Sequence, residues 1–151
     1  MMMKRKIEDV LIKIGVPSNL SGFDYIKEAV LILDRDGMNV KWTAVYYEIG
    51  KNHGKTPTMV ERGIRHALEV ARSAKGDYEM ANHYIGFINT SNSSSISLLY
   101  RMTKREMEDE ETAFSHNNIQ ADITEDYIKE IIKKATKSRN VTGGFDEDSN
   151  D

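Results

Sequence analysis

Between Thr56 and Arg72 the chain carries an apolar pattern that only a helix can gather onto one side. Val60, Ile64, Ala67, Leu68 and Ala71 recur at the three- and four-residue intervals of an amphipathic α-helix. At about 3.6 residues per turn, Thr58, Arg62, Arg65, His66 and Glu69 fall on the opposite side. Thr56 is placed to cap the first amides, and Pro57 occupies the first helical position, where a missing N–H costs nothing. Gly76 followed by Asp77 predicts the end of this helix and the cap of the next. A shorter helix is expected just before it, from Thr43 to Gly50, with Trp42, Val45, Tyr46 and Ile49 on one side. Asn52-His53-Gly54-Lys55 is a tight polar connection. A short helix, a turn and a second helix with arginines on its outer face form the pattern of a helix-turn-helix, with residues 57–74 as the recognition helix.

The rest of the chain is also read as helical. Ile7, Val10, Leu11 and Ile14 mark a first helix that Gly15 and Pro17 end. Ser21 with Asp24 three residues on predicts a capping arrangement for a second helix, whose buried side is Ile26, Ala29, Val30 and Leu33. Asp34-Arg35-Asp36-Gly37 reads as a turn. Asp77 opens a fifth helix with Tyr78, Ala81, Tyr84 and Ile85 inward, and Trp42, Tyr46 and Tyr47 are read as core aromatics. A serine in the loop Asn89–Ser95 is expected to cap a sixth helix with Ile96, Leu99, Tyr100 and Met107 inward. Glu106–Glu111 is expected to be its solvated end, followed by a separate short helix, Thr124–Lys137, and a disordered acidic end from Ser138. No strand alternates convincingly, so the fold class is all-α: a six-helix domain over residues 1–110 and an extension over 111–151.

Composition excludes several classes. No apolar run is long enough to span a bilayer, and Met1–Lys6 lacks the apolar core of a signal peptide. There is no cysteine, hence no disulfide framework and no thiolate metal site, which fits the cytoplasm. His53, His66, His83 and His116 show no ligand spacing, so no metal and no cofactor is expected. No nucleophile–base pair, glycine-rich phosphate loop or paired carboxylate marks an enzyme, and no catalytic residue is assigned. The net charge of −3 conceals an asymmetry: residues 1–105 hold 16 Lys and Arg against 11 Asp and Glu, and residues 106–151 hold 5 against 13. A basic front with an acidic, solvating or self-masking tail suits a nucleic-acid binder.

The run Trp42–Arg72, above all Val60-Glu61-Arg62-Gly63-Ile64-Arg65-His66-Ala67-Leu68-Glu69-Val70-Ala71, closely resembles the C-terminal effector domain of the sporulation master response regulator of endospore-forming bacteria. Ile14-Gly15-Val16-Pro17, Gly22–Ala29 and Tyr84-Ile85-Gly86-Phe87 fit the same family, so the resemblance covers about Ile7 to Met107. It implies a sequence-specific transcription regulator that binds double-stranded DNA at a short box written TGTCGAA. Glu61 and Arg62 then occupy base-reading positions, and Arg65 and His66 positions that contact bases or backbone. The chemistry agrees, since arginine suits the O6/N7 edge of guanine and glutamate can accept from cytosine N4. Lys55, Thr56 and Thr58, with Lys51 nearby, are read as phosphate-side contacts beside that helix.

Two departures stand out. Met59 sits where the family usually has arginine, which removes a phosphate or base contact. Gly63 sits where alanine is usual, and reads either as closer approach to the duplex or as drift. The resemblance further implies a sigma-factor contact of RNA polymerase at Lys75, Asp77 and Glu79, and head-to-tail pairing on tandem boxes by a protein monomeric in solution. Full-length relatives carry a phosphorylated receiver domain; this chain shows no βα repeats and, at this length, is expected to act as an orphan effector. The alternative is a protein-interaction module or antagonist of the sigma factor or the full-length regulator, favoured by Met59 and the acidic tail. Thr124–Lys137 stays open between a docked surface helix and a dimerisation or partner helix.

Overall fold

The structure, a computed structural model, describes residues 2–73 and 77–141. It is all-helical among these residues, with α1 (Met2–Lys13), α2 (Ser21–Asp36), α3 (Trp42–His53), α4 (Pro57–Ser73), α5 (Tyr78–Tyr84) and α6 (Asn92–Val141). The chain divides into two units, Met1–Glu108 and Asp109–Asp151, with the division falling inside α6.

In the first unit the predicted stripes become one core. Ile7, Val10 and Leu11 of α1, Ile26, Ala29, Val30 and Leu33 of α2, Val45 and Ile49 of α3, and all five stripe residues of α4 are buried. Ile96 and Leu99 of α6 complete it. Fully burying one such aliphatic side chain contributes about 1.5–3 kcal/mol, so this shared core is what holds short helices in place. α4 is the central element: it packs on α2, α3 and α5, while α2 also packs on α1 and α3.

The helix ends follow local chemistry. Gly15, Gly37 and Gly54 have positive φ after α1, α2 and α3, and Gly54 closes α3 in the left-handed conformation. The side chain of Asp77 accepts the amide of Met80 at 3.2 Å, as its N-cap role predicts. Ser91 does the same for α6, accepting from the amide of Ser94 at 3.2 Å. The expected Ser21–Asp24 cap does not form: Leu20 is the N-cap without a side-chain bond, and Asp24 takes Lys27 as its partner at 3.3 Å.

Three other expectations are corrected. Tyr47 and Tyr78 are exposed rather than buried, Tyr78 stacking on Phe87 with ring centroids 4.4 Å apart. Glu106 is not at a solvated helix end. It accepts Tyr84 Oη at 2.6 and 2.8 Å, lies 3.2 Å from His83 and pairs with Lys6 at 3.7 Å, which ties the front of α6 to α5 and α1. The expected break between a sixth helix and a separate Thr124–Lys137 helix is absent: α6 is continuous and reaches Val141, past Ser138. No Gly or Pro occurs between Phe87 and Thr142, and glutamates are good helix formers, so nothing stops the helix there. The tail from residue 142 lies outside the described residues.

In the second unit the helix exposes Phe114, Ile123, Tyr127, Ile128, Ile131 and Ile132. Lys129 pairs with Glu125 one turn earlier at 3.2 Å.

Candidate nucleic-acid interface

α4 begins where its sequence says it should. Thr56 Oγ1 accepts the amide of Met59 at 3.2 Å, and Pro57 is the first helical residue. With Val60, Ile64, Ala67, Leu68 and Ala71 turned into the core, the outer face is set by geometry. Thr58, Arg62, Arg65, His66 and Glu69 are exposed and Glu61 is half-buried. These six positions span about 140° of the helix circumference. Lys51, Lys55 and Thr56 are exposed just ahead of the helix.

An open groove of about 1000 Å³ runs beside this face. Thr58, Glu61, Arg65 and Glu69 line one side, and Trp42, Thr43, Tyr46 and Tyr47 of α3 the other. The structure therefore brings Thr58, Glu61 and Arg65 together on the groove wall, with Arg62 and His66 further round the same helix. Glu61 and Arg65 form an ion pair one turn apart. An exposed pair of this kind is worth about 0.3–0.5 kcal/mol, little enough to be exchanged for a ligand.

Three residues that the sequence did not assign to the site, Tyr46 among them as a core aromatic, stand beside it. Asn92, buried at the start of α6, donates to the backbone carbonyl of Glu61 at 3.0 Å. Tyr46 is half-buried in the groove wall: burial pushes its phenol up, while a hydrogen bond from Asn92 and nearby Arg65 act in the other direction. Arg72, on α4 itself, also lines the groove but is held by the segment before α6. Its guanidinium donates to the carbonyls of Gly86 at 2.8 Å and Ile85 at 3.2 Å and to Ser95 Oγ, and burial lowers its pKa from the ordinary value. Asn92 and Glu61 are 31 residues apart, a separation for which the sequence carries no local signal.

The two unusual positions on α4 have different explanations. Gly63 faces α2, not the outer side. A Cβ there would lie 2.9 Å from the ring of Tyr25, and a Cβ at Gly22 would lie 2.2 Å from the carbonyl oxygen of Gly63. Gly22 lets α2 approach the backbone of α4, and Gly63 leaves room beside it for the ring of Tyr25, which gives this glycine a packing role. Met59 is half-exposed at the first turn, leaving that position without a charge. Of the residues tied to a polymerase contact, Asp77 and Glu79 are exposed and Lys75 lies outside the described residues.

A short helix closed by a left-handed glycine, a tight turn, and a capped helix with a polar, arginine-bearing outer face define a helix-turn-helix domain of the DNA-binding class. Residues 7–104 match the family described as sporulation initiation factor Spo0A C terminal, and the chain belongs to that family. It is a family of DNA-binding effector domains of a sporulation regulator, not an enzyme family. The match ends inside α6, four residues before the division between the two units. Among the described residues no helix is long and apolar enough to cross a membrane.

Proposed function

We propose that the protein is a sequence-specific regulator of transcription that lays α4 in the major groove of double-stranded DNA. The observation that carries this reading is the outer face of α4, where Glu61, Arg62, Arg65 and His66 are offered on a helix fixed on its other side. Arg62 and Glu61 read base edges, the first as a bidentate donor to guanine and the second as an acceptor from cytosine. Arg65 and His66 reach bases or backbone. Lys55, Thr56 and Thr58 hold phosphates and set register without reading sequence. Two copies bind tandem boxes head to tail, and Asp77 and Glu79 offer carboxylates to a sigma factor of RNA polymerase. Asp77 does so with one oxygen already engaged in its cap.

Binding-site selection from random duplexes tests this directly, followed by Arg62→Ala on the selected box. The variant should lose about 1–3 kcal/mol and relax preference at one or two positions. Equal weakening on selected and random duplexes would make Arg62 a phosphate ligand instead. A second reading, an interaction module acting on the sigma factor or on a full-length regulator, is favoured by Met59, an uncharged and half-exposed side chain at the first turn. Failure to enrich any sequence would support it.

A further inference from the structure

Residues 109–141 of α6 carry a second amphipathic pattern, outside the family match. Phe114, Ile128 and Ala135 share one position of a seven-residue repeat, and Asn117, Thr124 and Ile131 share the position three residues on. Neither position holds a charged residue between Phe114 and Ala135. Apolar side chains at these two positions form the seam of a coiled coil. Phe114 is 67% exposed, Ile128 49% and Ile131 48% in the single chain. A helix in water draws most of its stability from packing its apolar face, so this stripe calls for a cover.

Charge selects the cover and its direction. Asp109-Glu110-Glu111 is wholly acidic, whereas Lys129 to Arg139 holds five Lys and Arg against one Glu. Two such helices side by side and parallel would set acid against acid and base against base. Antiparallel, each acidic end meets the other's basic end. In that direction the two seam positions also interlock, with Phe114 of each helix level with Ile131 of the other. The paired stretch from Phe114 to Ile131 is about 25 Å long, roughly two and a half heptads. A second copy is thus matched in length, period and charge.

We infer that two copies of this chain associate through residues 109–141 as an antiparallel two-helix coiled coil. The interface is separate from the outer face of α4 and does not depend on the DNA reading. It departs from the monomer in solution that the family resemblance implies.

Sedimentation of the full chain over a micromolar concentration series should show the mass rising toward that of two chains. Ile128→Asp combined with Ile131→Asp should halve it at the highest concentration, with the melting temperature of the first unit unchanged. The chain has no cysteine, so direction can be read by cross-linking. Ala113→Cys and Lys134→Cys chains, mixed and treated with a short thiol-reactive cross-linker, should join 113 of one copy to 134 of the other. Products joining only like positions would overturn the antiparallel pairing. A one-chain mass throughout the series would overturn self-association and leave the stripe to a different protein.

Discussion

Ile96 and Ile128 lie on one continuous helix with opposite surroundings: the first is fully buried and the second half-exposed. The same holds for Leu99 against Ile131. In both regions the local requirements for a helix are met equally well. What differs is tertiary cover. The front of α6 is fastened by Asn92 to α4, by Tyr100 and Lys104 to Asp34 of α2 at 3.0 and 3.3 Å, and by Glu106 to α5 and α1. Beyond Glu108 the apolar residues Phe114, Ile128 and Ile131 are exposed, and Lys129 pairs with Glu125 one turn earlier on the same helix. An aliphatic stripe therefore specifies a helix wherever it occurs. It specifies a core only where other elements are built to fold over it.

The contrast can be broken most severely at its buried end. Leu99→Ala should destabilise the first unit by about 2–5 kcal/mol, read by denaturant or thermal unfolding, because the side chain is fully enclosed and leaves a cavity. Gly22→Ala follows, at about 1–3 kcal/mol, because its methyl group would press on the backbone carbonyl of Gly63 rather than on a side chain that can move. Glu106→Gln should cost about 1 kcal/mol near neutral pH. Burial raises the Glu106 carboxyl, but the hydrogen bonds from Tyr84 and His83 and the nearby Lys6 outweigh it, so its pKa is lowered overall. A lowered carboxylate pKa stabilises the fold above the ordinary value of 4.5, and that contribution is lost as pH falls through the folded value. Glu106→Gln should flatten the acid limb of a stability–pH curve; an unchanged limb would place the acid sensitivity elsewhere. At the small end, Ile131→Ala should leave unfolding of the first unit within about 0.5 kcal/mol of the parent. A larger loss there would mean that the two regions of α6 do not differ as their burial says.

Most of the helical framework was legible because periodicity and caps are local. The stripe of α4, the caps at Thr56 and Asp77 and the glycines at 15, 37 and 54 all act within one or two turns. What stayed hidden depends on distant partners. Tyr47 and Tyr78 sit at helical spacing with buried residues, yet an aromatic at the edge of a stripe faces in or out according to what packs beside it. The meaning of Gly63 depends on Gly22 and Tyr25, some forty residues earlier. The unbroken α6 was hidden differently: the charge-dense segment at 106–111 reads as a helix end, although the absence of Gly and Pro from Ile88 to Val141 was a readable signal that the helix continues. For the interface, the sequence marked which residues face out, but not that Asn92 and Tyr46 share the groove with them.

The bonds from Asn92 to Glu61 and from Arg72 to the segment before α6 clamp α4 near both ends. The ordering of this helix is completed when the chain folds, so under the proposed function DNA would meet a surface already in its final shape. Rigid-body docking of this kind covers surface without creating new secondary structure. Calorimetry should then give a heat-capacity change set by the area covered alone, without the added negative component that accompanies folding upon binding.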